Sequence, residues 1–103
     1  MNLPENIAAA IRESGGDPDS FRIETQCGRN IVCGGLLPLS CLKVGQEWQG
    51  SGGGVVTIDR IEKRMTREEN PRPFYQIHYS SAVQKSHDEL DFDFQCRYCL
   101  VVD

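Results

Sequence analysis

The chain has 103 residues and a formal net charge of −4, enough for one small domain around a single core and too little for a second. The acidic balance argues against a domain that holds nucleic acid by its phosphates, because that affinity comes mainly from clustered Lys and Arg. No stretch approaches the length of a membrane span, and the opening residues Met1 to Glu5 lack the basic and apolar run of a secretory signal, so a soluble cytoplasmic protein is expected.

Pro4 to Ser14 predicts a short helix, with Pro4 in its first turn, Glu5 at the positive end of the dipole and Gly15-Gly16 as the stop. Leu3, Ile7 and Ile11 fall four apart and form a stripe that must dock on the sheet, because so short a helix is marginal alone. After the turn Asp17-Pro18-Asp19, the run Phe21 to Cys27 alternates apolar and polar side chains as a half-buried strand does. Gly28-Arg29-Asn30 predicts a tight connection to Ile31-Val32-Cys33, which makes a hairpin. Leu36 to Leu42 is apolar but interrupted by Pro38, and reads as a buried connection or an edge strand.

The stretch from Val44 to Tyr79 carries the clearest pattern. Val44 with Trp48, Val56 with Ile58, and Tyr75 with Ile77 and Tyr79 alternate toward one face, and the glycines between Gly50 and Gly54 supply a hairpin turn. A phosphate-binding role for that loop fails on context, since a strand follows it and no Lys-Ser/Thr does. Glu62 to Arg72 mixes both charges around the turn Glu68-Glu69-Asn70-Pro71, and predicts a solvated ribbon extending the hairpin. Leu90, Phe92, Phe94 and Cys96 then alternate with Asp91, Asp93 and Gln95 as in a strand, and Leu100-Val101-Val102 closes the sheet. The expected core is Val44, Trp48, Val56, Ile58, Ile61, Tyr75, Ile77, Tyr79, Phe92 and Phe94, with Thr57, Asp59, Gln76 and His78 on the opposite face.

The arrangement Val44-Gly45-Gln46-x-Trp48, a Gly-rich loop, Val55-Val56-x-Ile58-x-x-Ile61 and Tyr75-x-Ile77-x-Tyr79 resembles SH3-like small barrels, more narrowly those of bacterial and prophage proteins, over Lys43–Val102. In such barrels a final short strand follows a helical turn, which the resemblance places within Asp93 to Cys99. The expected fold class is therefore α+β: one domain over 1–103, with an N-terminal helix and β-hairpin (1–42) packed on an SH3-like, mainly antiparallel small β-barrel or curled sheet (43–103). This fold family serves binding of proteins, peptides or nucleic acids, so the resemblance does not choose among them.

Candidate chemistry is sparse. The cysteine count of five is odd, and with no signal segment it fits reduced thiols. Cys96 and Cys99 have the spacing of a zinc knuckle, and Cys27 with Cys33 could bring a second pair, but that pair is too widely spaced for the usual motif and packed free thiols are favoured. Neither His78 nor His87 sits in a catalytic or metal-ligating motif. Asp91 and Asp93, on one side of a strand, have the form of an acid/base pair and equally that of a wet face. No cofactor is expected.

The sequence thus points to a non-enzymatic protein-interaction domain, of phage or mobile-element accessory or modulator type. Its acidic-aromatic surface of Asp88, Glu89, Asp91 and Asp93 would dock on a macromolecular protein partner or imitate nucleic-acid phosphates. The alternative is a nucleic-acid-binding small barrel whose basic side is Arg60, Lys63, Arg64, Arg67 and Arg72, with net charge against it. A zinc-stabilised structural module is the third reading.

Overall fold

The structure is a computed structural model and describes residues 3–83 and 86–102. It is an α+β fold whose elements run α1 (Glu5–Glu13), β1 (Arg22–Gln26), β2 (Arg29–Cys33), β3 (Glu47–Gly50), β4 (Val55–Met65), β5 (Pro73–Ser80), β6 (His87–Leu90), α2 (Asp91–Arg97) and β7 (Tyr98–Leu100). Strands β6-β5-β4-β3-β7 form an antiparallel sheet in that order, and β1-β2 is a separate hairpin. Among the described residues no helix is long and apolar enough to cross a membrane.

The sheet is curled but not closed into a barrel, since β6 and β7 lie at its two ends and do not pair. The β7 end is continued instead by β2. An antiparallel bridge joins Ile31 to Val101, and the Val102 N–H donates to Asn30 O at 2.9 Å. That bridge sets β2, β7 and β3 side by side and gives the N-terminal hairpin its place.

Helix α1 turns Ile7, Ala8 and Ile11 into the protein, as the four-residue spacing requires. The connection from Leu36 to Leu42 is buried: Leu37, Cys41 and Leu42 join the core, with a 3-10 turn over Leu39–Cys41 in place of an edge strand. Between β2 and this connection, Gly34 sits at φ +122, where a Cβ would come within 2.5 Å of the Ser20 carbonyl oxygen. Any side chain there would have to move backbone. The tight turn of the first hairpin is Cys27-Gly28, one residue earlier than the expected Gly28-Arg29-Asn30, because Gln26 pairs directly with Arg29. Both turn residues have positive φ, 52° and 77°, as a type I′ hairpin demands.

The core of the sheet follows the expected parity at Trp48, Val56, Ile58, Ile77, Tyr79 and Phe94, all buried. Trp48 and Tyr79 each pack their rings on Phe94, with centroids 5.1 Å apart in both pairs. Ile58 pairs with Tyr79 and Ile61 with Ile77, although Ile58 and Ile61 are three positions apart on β4 and their partners only two; a register shift between Ile58 and Arg60 absorbs the extra residue, so both face inward. Tyr75 is half-buried out on the ribbon opposite Lys63. Pairing of β4 with β5 extends to Met65↔Pro73, which forms the expected charged ribbon.

Two expected core residues are outside. Val44 is 63% exposed, because Lys43 to Gln46 form a turn and β3 begins only at Glu47. Phe92 is 60% exposed, because residues 91–97 are helical rather than extended. On a helix, residues two apart point about 200° away from each other, so burying Phe94 sends Phe92 outward.

Candidate functional site

The four acidic residues Asp88, Glu89, Asp91 and Asp93 do gather in one place, but not along one strand. Asp88 and Glu89 lie on β6, the open edge of the sheet, while Asp91 and Asp93 lie in the first turn of α2. The strand-borne acid pair expected of Asp91 and Asp93 is therefore overturned. On the helix the two carboxylates complement the positive end of the dipole, and Arg97 complements the last turn.

Three of these acids have partners within the protein. Glu89 forms an ion pair with Arg97 at 3.2 Å, and its side chain is largely buried. Asp91 Oδ1 accepts from Gln95 Nε2 at 2.9 Å, and that amide is itself fastened to the buried connection: the Leu37 N–H donates to Gln95 Oε1 at 2.8 Å and Gln95 Nε2 donates to Leu37 O at 2.9 Å. Asp88 accepts from Gln76 Nε2, and Arg64 Nη1 donates to Gln76 Oε1 at 2.9 Å, a line of polar contacts across β4, β5 and β6. Asp93 is exposed. Leu90 (44% exposed), at the end of β6, and Phe92 (60% exposed), in the first turn of α2, stand among these acids as two large apolar side chains.

Register places Arg60, Glu62 and Arg64 of β4 beside His78, Gln76 and Phe74 of β5, with Asp88 and Leu90 of β6 next in line, all on the outer face. His78 Nε2 lies 3.0 Å from Glu62 Oε1. This contact, ahead of the Arg60 and Arg64 charges, holds the Glu62 carboxyl below its ordinary value. His78 is thus a member of a surface ion network. His87, expected in a polar loop, opens β6 and stacks on Tyr79 with ring centroids 5.8 Å apart. The Tyr79 hydroxyl is raised above its ordinary value by burial first and then by its contact with Tyr98.

On the ribbon, Arg72 Nη2 lies 3.5 Å from Glu68 and Arg60 Nη2 lies 3.7 Å from Glu62, so part of the basic charge is locally neutralised. Arg64, Arg67 and Arg72 are exposed along the extension.

The four cysteines weighed as zinc ligands do not converge. Cys27 sits in the turn of the first hairpin and Cys33 at the far end of β2, roughly 15–20 Å apart at the rise of an extended strand. Among the described residues no group of three or more His, Cys, Asp or Glu could hold a metal ion. Cys33 does come near Cys99: the Ile31–Val101 bridge puts them at facing positions of β2 and β7, and both line one cleft.

Two clefts border these features. The larger, about 1020 Å³, lies between the Gly50–Gly54 turn, Ser81 to Val83 and the residues Cys96, Arg97 and Tyr98. The turn itself is closed by bonds from Gly50 N–H to Gly54 O at 2.8 Å and from Gly53 N–H to Gly50 O at 3.0 Å. It is a hairpin turn, as expected. The smaller cleft, about 280 Å³, includes Cys33, Leu36, Phe92, Gln95, Cys96 and Cys99 in its lining.

Three glutamines that carry no sequence motif fasten connections of the fold. Gln95 is one. Gln46 accepts from the Lys43 N–H at 2.8 Å and from Trp48 Nε1 at 3.3 Å, and donates to Cys41 O at 2.7 Å. Gln49, 2% exposed, donates to Gln26 O at 2.9 Å and so ties the first hairpin to β3. The partners of Gln95 and Gln49 lie 58 and 23 residues away, and the local pattern gives no sign of them. The chain matches no protein-family model, no curated protein and no solved structure.

Proposed function

We propose that this protein is a non-enzymatic binding module that captures an extended protein segment bearing basic and apolar side chains, along β6 and the first turn of α2. The observation that carries this reading is the asymmetry of the two sheet ends. The β7 end is continued by β2, whereas among the described residues no strand pairs with the outer side of β6. An unpaired edge is a template for strand addition, with main-chain bonds giving affinity and alternate side chains giving choice. Here the side chains that would choose are Asp88 and Asp93 for cations and Leu90 and Phe92 for apolar groups.

Because Glu89 and Asp91 are bound inward, the surface offers separated carboxylates around an apolar pair. That fits an alternating peptide strand better than imitation of a run of phosphates. The order of elements also supports an SH3-like relationship: a helical segment, α2, precedes the short final strand β7, which pairs back on β3, the first strand of the meander.

The test is binding of a fluorescein-labelled peptide of alternating Lys and Val, with the same peptide carrying Glu for Lys as control. Amide shifts concentrated on β6 and binding of the Lys peptide alone are expected. Asp88→Lys with Asp93→Lys, both at exposed positions, should weaken binding about tenfold or more while leaving the unfolding midpoint nearly unchanged. Equal binding of the two peptides, or shifts away from β6, would refute the reading.

A further inference from the structure

We propose that Cys33 and Cys99 are a disulfide-forming pair, an oxidation site that takes a low-molecular-weight disulfide as its oxidant and locks the N-terminal hairpin to the sheet.

The geometry follows from register. Ile31 and Val101 bridge β2 to β7, and the Val102 N–H donates to Asn30 O at 2.9 Å. The hydrogen bond therefore belongs to the pair Asn30/Val102, which makes Ile31/Val101 a non-hydrogen-bonded pair. Two steps along, the same antiparallel register sets Cys33 opposite Cys99 with the same parity, and β3 adds Gln49 on the other side of Cys99. Non-hydrogen-bonded partners have Cα atoms about 4.5 Å apart, inside the window of about 4.4–6.8 Å that a disulfide spans. Both cysteines are half-buried and line the 280 Å³ cleft, through which a small oxidant can reach them. The other three cysteines have no such facing position: Cys27 lies in the hairpin turn, Cys41 is buried in the connection after β2, and Cys96, though it lines the same cleft, is exposed on α2 and outside the β2–β7 register.

The order of events follows from the surroundings of Cys33. Burial first, and then the hydrogen bond to the Glu24 carboxylate, push its thiol up to about 12. Cys99 is therefore the sulfur that attacks the small disulfide, forming a mixed disulfide and releasing one small thiol. Cys33 then gives up its proton to water and attacks the Cys99 sulfur. The bond between Cys99 and the small molecule breaks, the Cys33–Cys99 bond forms, and the second small thiolate leaves and takes up a proton from water. The protein loses two hydrogens and two electrons, and one small disulfide becomes two thiols.

Oxidised glutathione is the probe, applied to the whole chain in buffers of increasing oxidised-to-reduced ratio, with alkylation, intact mass and peptide mapping as readouts. The expected product lacks two hydrogens, carries one 33–99 crosslink, and unfolds roughly 10 °C or more above the reduced protein, since the bond closes a long loop. Cys33→Ser and Cys99→Ser should each abolish both changes. The double variant Cys27→Ser/Cys96→Ser, altered only at exposed positions, should keep both. Accumulation of glutathione adducts without a crosslink, a crosslink to a different cysteine, or loss of the effect in the double variant would overturn the proposal.

Discussion

Gln95→Ala tests whether the helix α2 and the buried connection are held together as the structure has them. The side chain accepts from the Leu37 N–H at 2.8 Å and donates to Leu37 O at 2.9 Å, and Leu37 is only 5% exposed. Removing it strands two backbone groups, each costing about 1–3 kcal/mol when buried without a partner. Water can enter from the adjoining 280 Å³ cleft and recover part of that loss. A destabilisation of about 1.5–3 kcal/mol is expected, a large share of the 5–15 kcal/mol typical of a domain. Urea unfolding followed by fluorescence of Trp48, which packs on Phe94, measures it, and the slope should stay unchanged while the midpoint falls. Gln95→Glu adds a sign. A carboxylate there would face the Leu37 carbonyl and the Asp91 carboxylate, so its folded-state value is raised. A raised group contributes stability below its unfolded value and loses it as pH rises through the folded one, so this variant should be closer to wild type in acid than at neutrality. A cost for Gln95→Ala below about 0.5 kcal/mol, the scale of ordinary surface changes, would refute the reasoning.

Ile58→Ala, at a position 1% exposed, should cost about 2–5 kcal/mol by the same assay, and an unchanged midpoint would show that the bulge does not turn Ile58 inward. Cys27→Asn should raise stability by about 0.5–1 kcal/mol, because the backbone at φ 52° suits asparagine and strains other side chains; a loss would mean that the thiol's packing outweighs the strain. Glu62 is held below its ordinary 4.5 by His78, so its contribution is present above that value and fades as pH falls through the lower folded-state value. Glu62→Gln should flatten the acid side of the stability profile, and an identical profile would remove the network's role.

Where side chains alternate and the sheet is regular, the chain could be read directly: β1, β4 and β5 appear in place, and the spacing of Ile7 and Ile11 gives α1 its buried side. The segment Asp91 to Gln95 misleads because its alternation is as good as that of a strand. What decides it is tertiary: a helix buries Phe94 completely among Trp48, Tyr79 and Tyr98, with ring centroids 5.1–5.2 Å apart. A local signal for the helix did exist in the acids of its first turn, Arg97 in its last, and the four-residue step from Asp91 to Gln95. Val44 was misplaced for the opposite reason, since a turn at Gly45 ends the alternation before β3 begins. The candidate site was legible as composition, four acids among aromatics, but not as geometry. Which carboxylates face outward depends on Arg97 and Gln95, and Gln95's role in turn depends on a backbone contact 58 residues away.

That division also weighs the two binding surfaces against each other. Residues 60–72 hold five Lys or Arg against three Glu, whereas residues 87–93 hold four Asp or Glu and no Lys or Arg. The basic surface spends part of its charge internally, on Glu62, Glu68 and Gln76. Phosphate binding depends steeply on the number of uncompensated cations, so a two-stranded ribbon with paired arginines on an acidic chain is a weak electrostatic footprint. Strand addition asks for less charge. It needs an unpaired backbone edge, a few side chains to select the partner, and a scaffold that holds the edge still, and here Gln76, Arg97 and Gln95 brace the edge from behind through contacts made by the same acidic residues. The carboxylates that look like binding groups in the sequence are thus largely drawn into holding the edge in shape: Glu89 and Asp91 are tied inward and Asp88 accepts from Gln76 while staying exposed, so in the proposed strand addition the exposed Asp88 and Asp93 are the two that would meet a partner.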